Sequence, residues 1–462
     1  SYPVPLLCVY SKDTGEDTCA TFACSTGFLS CALAPRAQVS SPVLQRTKDY
    51  SCNVSDAAAD ATITDGAFAG RVAAFAHGLR ARGVAPGDRI AVQMPNILQY
   101  PVVVFGAIRA GLVVVNTNPL YTAREMEHQF NDSGAKVVLT MDMLFPLIAG
   151  VADKCGFSTV IVAGTTDFMP GEFPPVQVQD IPGKTVVSFA DAIEGMPEDL
   201  VLVPRTMDDT IFIMYTGGTT GPSKGAVLTH AKTFFNCLNA DIFFELSFQD
   251  VMLVVLPLFH SGGLFIQTSP CLYKGATLIL HRSFDPVAAY EDIERYRVTK
   301  FLGVPTVYRS LFKVEEERRS ELTSLEVCAI GGEKVTPETL AECWDNGFPV
   351  RQVMGQTETS ILLWSSEQEV RERPGSVGRP VFHADVDLWD EQSVPVAPGE
   401  VGEIMVRGSV LMKEYWQDPA ETERVLRGGW LHTGDLARRD EAGYYYLVDR
   451  AKDMYISGGE NV

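Results

Sequence analysis

The chain of 462 residues is too long for one ordinary hydrophobic core, and its apolar content of 46% is enough to build two or three packed units. It carries 38 Lys and Arg residues against 58 Asp and Glu residues, a formal net charge of -20 at pH 7. This charge excludes a general affinity for nucleic acid or for an anionic membrane surface, so any phosphate site must be formed locally.

The cysteine usage and the first residues bear on where the protein works. The ten cysteines are scattered and form no C-x-x-C pair and no His spacing typical of zinc, which predicts reduced thiols in a cytoplasmic protein. No apolar run approaches the roughly 20 residues that a membrane span needs. The stretch FACSTGFLSCALAPRA at 22–37 lacks a preceding basic segment, so we expect no signal peptide. Residues 1–55 receive no role.

From about residue 63 the pattern becomes regular. DGAFAGRVAAFAHGLRARGV has helical spacing and RIAVQM reads as a short buried strand, and such pairs recur along the chain. Alternating strands and helices predict an α/β fold with mainly parallel sheets covered on both faces. We expect two packed α/β subdomains at 56–207 and 208–375, then a small β-rich, barrel-like subdomain at 376–449, where short strands alternate with Pro and Gly.

The loop YTGGTTGPSKGAVLTH at 215–230 combines glycines, hydroxyls and one lysine. Glycine lets successive backbone N–H groups approach a phosphate, while the hydroxyls add donors and Lys224 adds charge. The loop is not a Walker A sequence, because Ser223 precedes the lysine and Gly225 follows it. The alternative is a flexible hairpin between two strands, which explains the glycines but not the hydroxyls and the lysine.

In this loop and in later segments, the chain resembles the adenylate-forming acyl-CoA synthetases, the AMP-binding family. The family's phosphate signature is rich in Thr and Gly and ends in Pro-Lys-Gly, whereas here Pro222 comes one place early. The resemblance implies that Lys224 stabilises the leaving pyrophosphate. It assigns the nucleotide phosphates to six further residues: Thr216, Gly217, Gly218, Thr219, Thr220 and Gly221.

MGQTETS at 354–360 is similar to the family's Tyr-Gly-x-Thr-Glu segment, with Met354 where an aromatic residue is usual. The resemblance implies that Glu358 holds Mg²⁺, a hard cation that prefers carboxylate oxygen. It also implies that Thr357 donates to the α-phosphate and that Gly355 and Gln356 adjoin the nucleotide. The alternative is a solvated helix start capped by Thr357.

GWLHTGDLARRDEAGYYYLVDRAKD at 429–453 carries the most specific match. The resemblance implies that the Asp435 carboxylate accepts both ribose hydroxyls, that Arg450 contacts the nucleotide and that Lys452 is the hinge of a small C-terminal domain. Without the resemblance, Asp435 after a glycine would be read as a turn residue.

Three segments resemble the family's adenine and acyl pockets. IGGEKV at 330–335 implies adenine contacts by Gly331, Gly332 and Glu333, although a small residue commonly occupies the third position. In LPLFHSGGL at 256–264, His260 and Gly262 would border the acyl pocket, or His260 is simply packed. FLGVPTVYRSLF at 301–312 implies an acyl channel at Gly303, Val304 and Pro305, or a buried strand leading into a helix, and both can hold.

The resemblance implies ATP-dependent activation of a carboxylic acid through an acyl-AMP, followed by thioester formation with coenzyme A. Similarity of the early segments to bacterial long-chain ligases favours a fatty acid, whereas the pocket segments LPLFHSGGLF and AIGGEKV are more similar to members that use short or medium-chain and unusual acids. The resemblance implies ATP, Mg²⁺ and coenzyme A as cofactors, and a homodimer is left open. The alternatives are transfer of acyl-AMP to another acceptor and a non-catalytic nucleotide or acyl binder. Residues 450–462 read as the hinge and the start of a C-terminal domain. The resemblance implies that this domain carries a second lysine needed for adenylation, and this chain lacks that lysine. We therefore expect this chain alone to be impaired in forming adenylate.

Overall fold

A computed structural model describes residues 53–169, 173, 176–199, 203–218, 221–450, 456–457 and 460–461. The strands are β1 Asn53–Asp56, β2 Ala61–Thr64, β3 Arg89–Gln93, β4 Val113–Asn116, β5 Val137–Met141, β6 Thr159–Ala163, β7 Thr185–Ser188, β8 Thr210–Gly218, β9 Gly221–Thr229, β10 Val251–Val254, β11 Thr277–Leu280, β12 Lys300–Gly303, β13 Val327–Ile330, β14 Val350–Gln356, β15 Ser360–Ser365, β16 Arg379–Pro380, β17 Ala384–Trp389, β18 Val401–Gly408, β19 Glu414–Tyr415, β20 Leu426–Arg427, β21 Trp430–Arg439, β22 Tyr445–Arg450, β23 Ile456–Ser457 and β24 Glu460–Asn461. The α-helices are α1 Asp65–Ala81, α2 Gln99–Arg109, α3 Ala123–Ser133, α4 Phe145–Val151, α5 Phe189–Ile193, α6 His230–Phe244, α7 Ser269–Lys274, α8 Pro286–Arg295, α9 Pro305–Phe312, α10 Pro337–Asp345, α11 Glu367–Glu372 and α12 Pro419–Val425.

Two large sheets carry most of the strands. The eight-stranded sheet has the order β19-β9-β8-β4-β3-β5-β6-β7, and the nine-stranded sheet has the order β16-β15-β14-β13-β12-β10-β11-β1-β2. Pairing is parallel in the body of each sheet and at the β7 edge, and it is antiparallel at the other edges, where β9, β19, β15, β16 and β2 lie. The predicted α/β class with mainly parallel sheets is confirmed.

Both faces of the large sheets are buried, as the alternating pattern requires. In β4, Val114 joins a central core that lies against both large sheets, while its neighbours Val113 and Val115 join the core on the opposite face. Helices α1, α2 and α6 belong to the central core, α3 and α4 cover the outer face of the eight-stranded sheet, and α8, α9 and α10 cover that of the nine-stranded sheet. The molecule is therefore layered helix, sheet, helix, sheet, helix.

A smaller antiparallel sheet follows, as predicted for the β-rich region. It has the order β17-β18-β21-β20, with β22 also paired to β21. Because β21 lies centrally in this sheet, Asp435 is held within a strand, so the turn-residue alternative for it is wrong.

The sheets do not follow the predicted subdomain boundaries. Strand β1, which begins at Asn53 in the segment without an assigned role, pairs with β11 and carries β2 to the edge of the nine-stranded sheet. Strands β8 and β9 belong to the eight-stranded sheet, so the change of sheet comes after residue 229 rather than at 208. Strand β1 was not predicted, since residues 1–55 received no role, and local periodicity carries no information on which distant strand a predicted strand pairs with.

Helix α3 illustrates how the sequence sets an element's limits. Thr122 and Glu125 form a reciprocal capping box at its start, which satisfies backbone N–H groups that have no partner within the helix. Gly134 ends the helix in a left-handed conformation with φ 61°. The helix therefore occupies the part of the polar-faced segment predicted for it.

None of the helices among the described residues is long and apolar enough to cross a membrane. Five of the ten cysteines lie in the described part of the chain, and all five are free and buried. The other five, Cys8, Cys19, Cys24, Cys31 and Cys52, lie outside the described residues.

His230, at the start of α6, makes stability sensitive to acid. Burial lowers its pKa from 6.5 to about 4, and within the described structure neither ring nitrogen has a hydrogen-bond partner. Between these two values the unfolded chain binds the extra proton, so the free energy of unfolding falls as pH drops through this window. In this pH window we expect the free energy of unfolding of wild type to fall by up to about 1.4 kcal/mol per pH unit more than that of His230→Phe. Urea denaturation from pH 7 to 4.5 measures the difference. Parallel pH profiles would contradict this expectation.

Candidate active site

The predicted nucleotide and acyl residues follow the ends of four neighbouring strands. Strands β10, β12, β13 and β14 lie side by side and run parallel, so their carboxyl ends meet at one edge of the nine-stranded sheet. Ligands of open α/β sheets bind in the crevice outside this edge. The residues at or just after these ends are His260, Gly262, Gly303, Val304, Pro305, Gly331, Gly332, Glu333, Gly355, Gln356, Thr357 and Glu358.

The turn that carries Thr357 and Glu358 connects β14 to the antiparallel strand β15. The Gln356 amide donates to Thr359 Oγ1 at 3.1 Å, and the Thr359 amide donates to the Gln356 carbonyl at 3.2 Å. Ser360, which starts β15, is buried and has a φ of 58°, an uncommon conformation for a residue other than glycine. Because the chain reverses here instead of entering a helix, the alternative of a helix start capped by Thr357 is wrong.

Gly355 leaves no room for a side chain. A Cβ added there would lie 1.7 Å from the Ser360 carbonyl oxygen, a backbone atom that cannot move without opening the turn. We therefore expect Gly355→Ala to lower the free energy of unfolding by about 3 kcal/mol or more. Gly66→Ala, in α1 with nothing within 4 Å of the added Cβ, should instead stabilise by roughly 0.5–1 kcal/mol. Equal denaturation midpoints for the two variants would contradict this account of the turn.

The glycine-rich loop is the tip of the β8–β9 hairpin. Thr216 pairs with Lys224 and Gly218 pairs with Gly221, with a register shift between the two pairs. The hairpin alternative therefore describes the backbone correctly, although a hairpin does not exclude phosphate binding. Gly217 is exposed near the tip, while Thr219 and Thr220 lie outside the described residues.

Lys224 lies on the β9 side of this hairpin and pairs with helix α12. Its Nζ donates to Glu421 Oε1 at 2.6 Å, and Arg424 binds the same carboxylate. The hydrogen bond from Arg424, assisted by Lys224, lowers the pKa of Glu421 to about 2. Glu421 is therefore ionised at neutral pH.

Tyr415 lies between Lys224, the predicted phosphate-binding lysine, and Glu358, the predicted magnesium carboxylate. Its hydroxyl donates to Glu358 Oε1 at 2.8 Å, and its ring centroid lies 5.8 Å from Lys224 Nζ. Burial, together with the nearby Glu358, raises the pKa of Tyr415 above its usual value, so its hydroxyl keeps its proton and remains a donor. The Met412 amide also donates to the Glu358 carbonyl at 2.7 Å. The segment 412–416 therefore fixes the β14–β15 turn against the hairpin.

Asp435 approaches the same turn from the five-stranded sheet. Its side chain is buried, and its Oδ2 accepts a hydrogen bond from Gln356 Nε2 at 2.5 Å. Gln356 also donates to the Thr433 carbonyl at 3.1 Å. The backbone of Arg450 pairs with Asp435 across β21 and β22, while the Arg450 side chain and Lys452 lie outside the described residues. The structure thus brings Asp435 next to the predicted nucleotide segment.

The predicted adenine and acyl segments adjoin at the ends of β12 and β13. Gly332 has a φ of +79°, and a Cβ added there would meet Val304 Cγ1 at 3.2 Å. Gly331 lies against the Val353 carbonyl, where an added Cβ would approach to 2.1 Å. Glu333 is half-buried. Glycine at these two positions keeps the strand ends close together.

His260 lies where the chain enters an unusual helix. It is half-buried against Phe259, with ring centroids 4.6 Å apart, and its carbonyl accepts from the Leu264 amide. The π-helix Gly262–Thr268 follows, a form often found at functional sites. Asn96 anchors the preceding loop by bonding both the Leu256 carbonyl and the Leu258 amide. These contacts are compatible with a pocket wall and with a packed histidine.

Lys232 lies behind the β14–β15 turn in helix α6. It is 1% exposed, and its Nζ donates to Ser360 Oγ. Burial lowers its pKa to about 7, against the opposing effect of Glu358. Sequence reasoning missed this residue, because nothing in the spacing marks a lysine in an amphipathic helix as buried.

Sequence reasoning also missed Tyr415 and Glu421. Asp418 caps helix α12 by accepting the Glu421 amide, and Pro419 occupies its first turn, so an Asp-Pro helix start was legible. That signal locates Glu421 in a first turn, but it could not reveal Lys224, which lies 197 residues away.

The donor set suits magnesium held mainly by nucleotide phosphates. Among the described residues, no group of three or more His, Cys, Asp or Glu side chains could hold a metal. Glu358 offers one half-buried carboxylate, with Oε1 already oriented by Tyr415. Mg²⁺ is commonly bound by one or two carboxylates together with substrate phosphates, and Glu358 fits that requirement.

Comparisons with known proteins agree with this arrangement. A family model described as AMP-binding enzyme matches residues 42–416. Feruloyl-CoA synthase from Amycolatopsis sp is 39% identical over 394 residues, covering 85% of this chain and 74% of the relative. Long-chain-fatty-acid–CoA ligase from Escherichia coli O157:H7 is 35% identical over 405 residues, covering 82% and 71%. The crystal structure of ATP-bound MatB from Rhodopseudomonas palustris superposes with a TM-score of 0.79 at 29% identity, covering 95% and 81%.

Proposed function

The chain belongs to the AMP-binding enzyme family and is an AMP-forming acid–CoA ligase, and on this premise we propose that it activates an apolar carboxylic acid at the crevice beside Glu358. ATP, Mg²⁺ and coenzyme A are its co-substrates. The observation that carries the proposal is the bridge through Tyr415, which joins the magnesium carboxylate Glu358 to the phosphate-loop lysine Lys224.

The residues of the crevice divide the first reaction step among them. A carboxylate oxygen of the acid attacks the α-phosphorus of ATP, the bond to pyrophosphate breaks, and acyl-AMP forms. Lys224 and the hairpin glycines and hydroxyls stabilise the charge that moves onto pyrophosphate. Thr357 donates to the α-phosphate, and the buried Asp435 carboxylate accepts the ribose hydroxyls. The thiol of coenzyme A then displaces AMP from the acyl carbon and gives the thioester.

Positioning and charge carry this chemistry, because the mixed anhydride already activates the acyl group. When bound at Glu358, Mg²⁺ would neutralise phosphate charge. The chain's own contribution is to fix that carboxylate by the Tyr415 and Met412 hydrogen bonds.

We also propose a role for each domain of the chain. Residues 56–449, together with the start of β1 from Asn53, form the large adenylation domain, and residues 450–462 are the hinge with the start of a C-terminal domain that rotates about Lys452. Arg450 would reach the nucleotide from this hinge.

For the acid we propose a fatty acid, with Val304, Gly303, Pro305, His260 and Gly262 lining its channel. Similarity to long-chain-fatty-acid–CoA ligases supports this choice. An aromatic acid is the second candidate, because the feruloyl-CoA synthase shares a higher identity, 39% against 35%.

The test uses the full-length protein with Mg-ATP, coenzyme A and a matched panel of straight-chain, branched and aromatic acids, read by mass spectrometry. Thioesters of the straight-chain acids support the fatty-acid proposal, and thioesters of the aromatic acids alone replace it with the second candidate. Acyl-AMP without thioester would identify a different acceptor. ATP binding without either product would contradict the catalytic proposal and leave a nucleotide-binding protein.

A further inference from the structure

Glu421 holds two cations at once beside the hairpin. Its Oε1 accepts from Lys224 Nζ at 2.6 Å and from Arg424 Nη2 at 2.8 Å, and its Oε2 accepts from Arg424 Nε at 2.6 Å. The Glu421 side chain is 15% exposed, against 36% for Lys224 and 57% for Arg424. The carboxylate is therefore the buried centre of the cluster, and both cations reach it from the solvent side.

This arrangement sets Glu421 in competition with phosphate for Lys224. An ammonium beside a carboxylate is already neutralised, and the carboxylate repels any anion that approaches the lysine. We propose that Glu421 is a positioning residue that competes with phosphate: it retains Lys224 until a nucleotide bearing β- and γ-phosphates takes the lysine, and Arg424 permits this exchange by staying paired with Glu421. The inference rests on the proposed phosphate role of Lys224.

Arg424 lowers the free energy needed to release Lys224 from Glu421. If Lys224 were the sole partner, its departure would leave a largely buried carboxylate unpaired, which is strongly unfavourable. Arg424 binds both carboxylate oxygens in the bidentate geometry that gives the strongest charge-assisted hydrogen bonds. When Lys224 turns to phosphate, Glu421 therefore keeps a full partner, and only one hydrogen bond of a partly exposed pair is lost.

The exchange depends on the number of phosphates in the ligand. Lys224 is assigned to the leaving pyrophosphate, so in the ATP complex the phosphates replace Glu421 as the partner of Lys224. AMP carries no group that would replace Glu421 there. We expect Glu421 to weaken ATP binding and to leave AMP binding unaltered.

The experiment measures dissociation constants for Mg-ATP and for AMP by calorimetry with wild type, Glu421→Gln, Arg424→Gln and the double variant. We expect Glu421→Gln to tighten ATP binding about fivefold and Arg424→Gln to weaken it about fivefold. The double variant should match Glu421→Gln, because without the carboxylate Arg424 has nothing to hold. AMP affinity should stay constant throughout. Glu423→Gln, the same charge change two residues along α12, is the matched control and should bind ATP as wild type does.

The outcomes separate this inference from the function on which it rests. Wild type that does not bind Mg-ATP would overturn the proposed function. Wild type that binds ATP while Glu421→Gln binds no more tightly would overturn only the role of Glu421. The role of Glu421 would also be overturned if Arg424→Gln weakened ATP binding equally in wild type and in the Glu421→Gln variant. Arg424 would then act on the phosphates as a distant charge, without involving Glu421. Glu421→Thr repeats the test should the glutamine variant fail to fold.

Discussion

Replacing Glu358 with glutamine is expected to lower kcat/KM for acyl-AMP formation by about 10²–10³-fold, the usual cost of losing a group that stabilises transition-state charge. The amide removes the negative charge that would hold Mg²⁺ but keeps an oxygen that can accept the Tyr415 hydrogen bond. The turn should therefore keep its shape while the metal site is lost. The measurement is the rate of acyl-AMP formation as a function of Mg²⁺ concentration, with the protein concentration fixed.

The matched control for this variant is Glu414→Gln. Glu414 is exposed in β19 beside Tyr415, so the change removes the same charge close to the site without touching the turn. We expect near-wild-type rates for it. A Glu358→Gln enzyme that retained both its rate and its Mg²⁺ dependence would show that another group holds the metal.

Asp435→Asn is expected to weaken ATP binding by roughly 30–200-fold, because an ionised acceptor of two hydroxyls becomes a neutral amide. The amide oxygen can still accept the hydrogen bond of Gln356, so the contact between β21 and β14 is preserved. Wild type should discriminate ATP from 2′-deoxy-ATP and 3′-deoxy-ATP, and the variant should lose most of that discrimination. Dissociation constants for the three nucleotides test both expectations.

Asp385→Asn serves as the control for Asp435. Asp385 lies in the same five-stranded sheet but is exposed and paired only with Arg407 on the surface among the contacts described for it. Its replacement should leave all three affinities unchanged. If Asp435→Asn kept the wild-type preference for intact ribose, the hydroxyl-binding role would be wrong.

The parts of the fold with strong local signals could be predicted from the sequence. The strands and helices between 65 and 141 follow directly from buried runs, helical periods and caps such as Thr122 with Glu125. The pairing of β1 with β11 and the place of β8 and β9 in the eight-stranded sheet could not be predicted, because strand order depends on contacts between distant segments.

The candidate site divides in the same way. Lys224, Glu358 and Asp435 could be predicted as site residues because each lies in a contiguous motif. Their partners could not, since Tyr415 lies 57 residues from Glu358, Glu421 lies 197 from Lys224 and Lys232 lies 128 from Ser360. Motifs indicate candidate reactive groups, whereas the contacts that orient them come from other elements and are visible only in three dimensions.

The helix start proposed as an alternative for the Thr357 segment was wrong for a related reason. A threonine followed by glutamate resembles a helix N-terminus, yet Gly355 lies directly against the Ser360 carbonyl and turns the chain into β15. The hairpin proposed as an alternative for the glycine-rich loop describes the backbone correctly, but it neither predicts nor excludes a ligand. Backbone shape and ligand are separate questions at both loops.

The most direct test of the central claim follows oxygen from the acid to the nucleotide. A fatty acid labelled with ¹⁸O in both carboxylate oxygens is incubated with the full-length protein, Mg-ATP and coenzyme A, and the AMP is analysed by mass spectrometry. Attack of the carboxylate on the α-phosphorus predicts one ¹⁸O atom in each AMP released with a thioester. Thioester formed with unlabelled AMP, or with the label in inorganic phosphate, would contradict activation through an acyl adenylate.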